Sequence, residues 1–341
     1  LGIRSPMQEP VDPLSQGDAN SIEQAEAEET STAAVDPTRE SLGVSGMLRV
    51  LWSAIAVPSI SLLAFLLTST LMIAVATLVV RGSVDPRSMF AEDSIREVSA
   101  SRAGFLIMLV TPQIALLLPS LLAAFVSPEG PLKRLSLERG HWPLWTWLAA
   151  AAATPLVGMI SGLVVGMFME ESESLQQMTS VFRGHGQSGF LVPLALMIGA
   201  TPAICEELLF RGYVQTRMTR AMGPVVGIAS ASFLFAIFHM DPVHVIAVFP
   251  LGLFLGWVSW VSGSLFPAML GHFVNNVVSV VAVVLDPEQD PDVLALPAIS
   301  FTLGILGSGF LGMIAVITAA IAYGSPRSEC GTELASVPND V

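Results

Sequence analysis

Two adjacent glutamates and an arginine stand inside one apolar stretch, Thr-Pro-Ala-Ile-Cys-Glu-Glu-Leu-Leu-Phe-Arg-Gly over residues 201–212. A charged side chain at the centre of a membrane helix costs about 2.5–3.5 kcal/mol, so Glu206, Glu207 and Arg211 must be paired, wet or close to the interface. Glu207 and Arg211 are four residues apart and share a helix face, where their charges can cancel. Glu206 points about 100° further round the helix, which leaves its carboxylate available for chemistry.

Two later apolar segments add two imidazoles and an amide. His239 ends the segment Phe-Ala-Ile-Phe-His, and His272 and Asn276 lie one helical turn apart on the same face of another segment. If these side chains meet in one cavity, Glu206 and His239 can deprotonate a water molecule. His272 and Asn276 can then donate hydrogen bonds to a developing oxyanion. The chemistry that this set permits is hydrolysis.

The same residues leave other interpretations open. Glu206, His239 and His272 form a His₂Glu set, which suits a catalytic zinc ion with one open position. The Glu207–Arg211 pair can be purely helix-stabilising, Glu206 can be an interface residue, His239 can cap a helix, and His272 can bond a neighbouring helix. Joint occurrence of all these features in this order favours the catalytic interpretation.

The other three histidines lie outside these motifs. His244 has no motif partner, and we interpret it as structural or interfacial. His141 and His185 fall in predicted loops, where we expect them to be solvated.

The composition places these residues in a membrane protein. Of the 341 residues, 52% are apolar and only 13% are charged, against about 25% charged in a soluble domain. A net charge of −13 argues against a nucleic-acid partner, which would need basic patches. Open sheets cannot span lipid, so the fold class is all-α and polytopic. We predict eight transmembrane helices, over residues 50–80, 103–126, 142–168, 190–212, 224–239, 244–261, 265–285 and 297–323.

The chain divides into three regions by composition. Residues 1–48 are acidic, rich in Ser, Pro and Ala, and predicted to be disordered. Residues 49–325 form the membrane domain, and residues 326–341 form a polar C-terminal tail. The bias of arginine and lysine toward alternate connections predicts a multi-pass protein with both termini in the cytoplasm. We expect it in a bacterial inner membrane.

The predicted helix ends raise a geometric difficulty. Glu206 falls late in the fourth helix and His239 falls late in the fifth, which runs in the opposite direction. Full spans would hold the two side chains at different depths. The fifth helix must therefore be tilted, short or entered deep in the bilayer.

Three motifs in a fixed order carry a family resemblance. Glu-Glu-x-x-x-Arg at 206–211, Phe-x-x-x-His at 235–239 and His-x-x-x-Asn at 272–276 resemble the CPBP family of CAAX-processing and bacteriocin-processing intramembrane proteases, with its Rce-type members. The motifs lie within residues 190–285, and the family has eight transmembrane helices. The resemblance implies that Glu206 is the catalytic glutamate and that His239 is its partner. His272 and Asn276 resemble the oxyanion pair, and Glu207 and Arg211 the supporting residues.

The resemblance also implies a function without naming a substrate. It implies an endopeptidase that cleaves a membrane-associated peptide or protein, which can carry a lipid, without a cofactor; Zn²⁺ is the alternative. A non-catalytic protein on the same scaffold, either a transporter or a bacteriocin-immunity-type binding protein, is the alternative from another class. Such a transporter often contains an inverted repeat, and no internal repeat is evident in the sequence.

Overall fold

The computed structural model of the chain describes Gly2 and residues 44–128, 130–286 and 295–324. The chain divides into two units, Leu1–Ser45 and Gly46–Val341, and the helices that can span a membrane lie in the second unit. Most of the predicted disordered tail, and all of the C-terminal tail 326–341, lie outside the described residues. The first helix begins at Val44, before the predicted domain boundary at residue 49.

Within the described ranges every regular element is a helix. Two π-helical segments, Gly186–Phe190 and Leu208–Gln215, interrupt the α-helices. The α-helices are α1 (Val44–Arg81), α2 (Glu92–Ala100), α3 (Arg102–Phe125), α4 (Pro131–Arg134), α5 (Leu144–Gly166), α6 (Glu173–His185), α7 (Leu191–Glu207), α8 (Thr216–Met222), α9 (Pro224–Ile237), α10 (Pro242–Ser262), α11 (Phe266–Val284) and α12 (Ala295–Tyr323).

Seven of the described helices are long and apolar enough to cross a membrane. These spans contain α1, α3, α5, α7 with its extensions, α10, α11 and α12. The remaining predicted helix, 224–239, is α9, which has 14 residues and is about 21 Å long, against a hydrocarbon core of about 30 Å. The predicted all-α polytopic fold is confirmed, and the fifth predicted helix is short.

Two short helices replace predicted loops. Both α2 and α6 begin with acidic residues and carry charge along their length. The expectation that His185 is solvated is wrong, because this residue ends α6 and is buried. Its Nε2 atom lies 2.8 Å from the Ser99 carbonyl oxygen, and its ring packs 4.7 Å from the Phe105 ring. His141 is exposed, as expected.

The helix that carries Glu206 extends further than its predicted end at residue 212. It continues through the π-helix into α8, and the chain reverses at Gly223, whose φ of 80° requires glycine. Packing of α9 back on this helix sets the Phe235 ring 5.5 Å from the Phe210 ring. In this antiparallel helical hairpin, Glu206 lies four residues before Phe210 and His239 lies four residues after Phe235, so the register predicts a similar depth for the two side chains. Because the helix continues to Met222, Glu206 no longer lies near its C-terminal end.

Candidate active site

Glu207 lies at the centre of a buried ionic network. Its Oε1 atom is 2.7 Å from Arg211 Nη1, as the spacing predicts. Arg211 Nη2 donates to the Gly252 carbonyl oxygen at 3.1 Å, and its guanidinium lies 4.2 Å from the centre of the Phe235 ring. A Cβ atom at position 252 would lie only 3.1 Å from the Phe235 ring, so glycine permits this close approach. The two charges are fully buried and neutralise each other, although Glu207 Oε2 has no hydrogen-bond partner among the described residues.

Glu206 has different surroundings, although it is the next residue in sequence. Its side chain is 12% exposed. Gln113 Nε2, from α3, donates to Glu206 Oε1 at 3.2 Å, and His272 Nε2 lies 4.0 Å from Glu206 Oε2. The helix changes from α to π directly after Glu207, and such π-helical segments are frequent at functional sites. The two carboxylates thus diverge at a change in helix geometry.

His272 lies between the two glutamates. Its Nδ1 atom is 2.9 Å from Glu207 Oε1, and because a carboxylate only accepts hydrogen bonds, Nδ1 carries the proton. The other ring nitrogen, Nε2, faces Glu206. One imidazole therefore connects the buried ionic network to the Glu206 carboxylate.

His239 is oriented by the backbone of the helix that precedes it. Its Nδ1 atom donates to the Phe235 carbonyl oxygen at 3.1 Å, so the neutral ring presents Nε2 as an acceptor. The Phe235 ring lies 5.1 Å from the His239 ring and 5.8 Å from the His272 ring, measured between centroids. The ring of His244 lies 4.5 Å from that of His239. Both motif histidines thus contact the same phenylalanine.

A polar corner holds the segment that follows His239. Met240 has a φ of 57°, which is unusual for a residue with a side chain. Asp241 caps α10 by accepting from the His244 backbone N–H at 2.9 Å. The other carboxylate oxygen accepts from Ser172 Oγ at 2.5 Å and from Ser174 Oγ at 2.6 Å, at the start of α6. These hydrogen bonds, with that of Ser172 the largest contribution, lower the pKa of Asp241 to about 2.

Asn276, like His272, projects from α11 toward α7, but it contacts α7 at a different level. Its Nδ2 atom donates to the Ile198 carbonyl oxygen at 3.3 Å, and its Oδ1 atom accepts from Asn275 Nδ2 at 3.3 Å. Ile198 lies about two turns before Glu206 on α7. The amide of Asn276 is thus directed toward α7 through a backbone contact, and its predicted role as an oxyanion donor stays a prediction.

Residues 188–278 match the family model described as type II CAAX prenyl endopeptidase Rce1-like. This segment is Rce1-like. It contains all seven residues that define the three motifs, and the resemblance inferred from them is confirmed. The matched family is one of peptidases, and the seven long apolar helices are those of a multi-pass membrane protein. No match was found among curated proteins or among solved structures.

The residues of the Rce1-like segment do not fit the zinc alternative. In the part of the chain that the structure describes, no three His, Cys, Asp or Glu side chains form a group that could hold a metal ion. Zinc binds its nitrogen and oxygen ligands at about 2.0–2.2 Å. His272 Nε2 and Glu206 Oε2 are 4.0 Å apart, a separation that two ligands of one ion can have, but the described residues place no third ligand in a group with them. A metalloprotease assignment is therefore not supported.

Two residues at the site were missed in the sequence. Gln113 is the only amide side chain in the apolar run 103–126, and this isolation in a span was a usable signal. His244 was interpreted as structural or interfacial, yet its ring contacts that of His239. Its position three residues after Asp241, within the first turn of α10, becomes informative only once that aspartate is known to cap the helix.

Proposed function

We propose that the chain is an intramembrane endopeptidase in which Glu206 is the general base. The observation that carries this proposal is the pairing of two unlike glutamates in a Rce1-like segment: Glu207 is neutralised by Arg211, whereas Glu206 is bound by an amide and faces an imidazole. A carboxylate of this kind, buried in a polar site within a membrane span, is functional by default. We assign His239 as its partner in activating water, because the neutral ring presents Nε2 as an acceptor.

The proposed reaction begins with a water molecule between Glu206 and the scissile carbonyl. Glu206 takes one proton as the water oxygen bonds to the carbonyl carbon, and the C=O electrons move to the oxygen. His272 and Asn276 donate to that oxyanion. Because Nδ1 of His272 is directed to Glu207, donation from Nε2 requires the ring to carry both protons. Collapse of the intermediate expels the amine, which takes its proton from Glu206.

The substrate that this site favours is associated with the membrane. Glu206 stands well inside its span, with 15 residues of α7 before it, a length of about 22 Å. A peptide or protein that already lies in the bilayer, with or without an attached lipid, can reach that depth without leaving it. We further propose that both termini face the cytoplasm of a bacterial cell, from the distribution of arginine and lysine.

The test is cleavage by the purified protein in proteoliposomes. Membrane peptides from cells with and without the gene identify candidate substrates, which are then incubated with the wild type and with Glu206→Gln. We expect new termini with the wild type alone. Equal products from both proteins would refute the site, and an absence of products from every candidate would favour the non-catalytic alternative.

Dependence on a metal is tested in the same assay. The glutamate, the three imidazoles and the amides supply a base and oxyanion donors, so we expect turnover to survive a strong chelator. A loss that zinc restores, and that magnesium does not, would contradict the metal-free mechanism.

A further inference from the structure

The amide of Gln113 meets Glu206 through only one of its two ends. Its Nε2 atom donates to Glu206 Oε1 at 3.2 Å. A carboxylate only accepts hydrogen bonds, so the nitrogen must face Glu206 and the amide oxygen points elsewhere. That oxygen, Gln113 Oε1, is buried, and no hydrogen-bond partner for it exists among the residues that the structure describes.

A buried acceptor without a partner is costly. The penalty is about 1–3 kcal/mol, and proteins usually satisfy such groups with an internal water molecule. The amide of Gln113 contacts Glu206, so the acceptor Gln113 Oε1 lies close to the Glu206 carboxylate. The pair can therefore bind one small molecule that donates two hydrogen bonds, and water is such a molecule.

We propose that Gln113 orients the lytic water of the endopeptidase. This inference rests on the proposed function. One O–H of the water donates to the Glu206 carboxylate and the other donates to Gln113 Oε1. The oxygen lone pair is then directed away from both and toward the scissile carbonyl. Glu206 removes the first proton as the new C–O bond forms, while Gln113 neither gains nor loses a proton.

The geometry favours this role over that of an anchor. An anchor for Glu206 needs only the Nε2 donor, and it gives no reason for burying the amide oxygen without a partner. Gln113 lies on α3, outside the matched segment 188–278. The site would therefore extend beyond the three motifs to another span of the membrane domain.

Kinetics separate water orientation from other roles. Gln113→Met keeps the length of the side chain and removes both hydrogen bonds, and Gln176→Met is the matched control at an exposed position of α6. We expect kcat to fall about 10²-fold for Gln113→Met, as for a misplaced reactant, with KM and melting temperature unchanged. Wild-type kcat in folded Gln113→Met would overturn the proposal. So would a raised KM with normal kcat, which would indicate a contact with the peptide.

A measurement without turnover tests the same inference. An experimental structure of the wild type that shows ordered water should contain one within hydrogen-bond distance of both Gln113 Oε1 and the Glu206 carboxylate. The same peak should be missing in Gln113→Met. If Gln113 Oε1 instead bonds a protein group, the proposal fails even where cleavage is established. If the wild type cleaves nothing, the proposed function fails, and the presence or absence of this water still decides whether Gln113 binds it.

Discussion

The two sides of one helix turn, which carry Glu207 and Glu206, have different surroundings. On the first, here called the closed side, Glu207 and Arg211 neutralise each other beneath Phe235 and the Gly252 backbone. On the second, the open side, Glu206 meets an amide and an imidazole and stays partly exposed. Adjacent residues of one type thus acquire different roles through their partners. An arginine four residues away removes one carboxylate from the chemistry and leaves the other available.

The two sides are connected through His272. Its Nδ1 atom bonds the closed side and its Nε2 atom faces the open side. A firm ionic network therefore fixes the orientation of an imidazole that the proposed reaction uses. This division predicts that loss on the closed side affects mainly stability, whereas loss on the open side affects mainly rate.

The largest effect is expected at Glu206. Glu206→Gln keeps an oxygen that can accept from Gln113 but cannot take a proton from water. We expect turnover to fall by about 10²–10⁴-fold, the usual contribution of general-base catalysis, with expression and melting temperature unchanged. The measurement is cleavage rate per folded molecule beside a thermal melt. An active Glu206→Gln together with a dead, stable Glu207→Gln would show that the two roles are reversed.

The next effect concerns the closed side and appears as stability. Glu207→Gln leaves Arg211 buried without its counter-charge, which costs about 3–5 kcal/mol. We expect low yield and a lower melting temperature, with residual turnover in the folded fraction. The matched control is Glu92→Gln, which breaks the exposed pair with Arg96 and should cost well under about 1 kcal/mol. Equal destabilisation by both variants would remove the distinction between the sides.

The oxyanion donors come third. His272→Ala and Asn276→Ala should each lower kcat by about 10²–10³-fold and still insert into the membrane. Ser279→Ala is the control, because this exposed serine bonds the Asn275 carbonyl on the same helix. His272→Ala should also lower the melting temperature, since Glu207 loses a donor. Unchanged turnover in both alanine variants would exclude the oxyanion assignment.

Part of this arrangement could be predicted from the sequence, because it depends on local spacing. The Glu207–Arg211 pair follows from a separation of four residues, and the long apolar runs define seven spans. The C-terminal end of the helix that contains Glu206 could not be predicted from the sequence. Apolar character is interrupted at Arg211, but that charge is neutralised internally, and the helix therefore continues to Met222.

Contacts between distant segments escaped prediction for a different reason. Gln113 is 93 residues from Glu206 in sequence, and no periodicity links them. His185 was expected in solvent because it falls in a predicted loop, yet α6 buries it against α3 and the end of α2. Such contacts depend on how helices pack, and local pattern does not encode them.

The smallest expected effect concerns Asp241, in the polar corner that follows His239. Asp241 caps α10 and bonds Ser172 and Ser174, so Asp241→Ala should destabilise the protein by about 0.5–2 kcal/mol, the usual cost of a lost N-cap. Those hydrogen bonds lower the pKa of Asp241 from 3.8 to about 2. A lowered folded-state pKa stabilises the fold above the ordinary value, and this stabilisation is lost as the pH falls through about 2.

The pH dependence of the stability difference between the wild type and Asp241→Ala is the sharper measurement. The gap in melting temperature between the wild type and Asp241→Ala should be constant above about pH 5 and should narrow as the pH falls below 4. Asp241→Asn is the control, because asparagine is also a good N-cap but carries no charge. Its melting temperature should exceed that of Asp241→Ala by an amount that does not change with pH. A gap that widens in acid would mean that Asp241 does not act as an ionised acceptor. Normal turnover in folded Asp241→Ala would further show that the corner stabilises the fold without orienting His239.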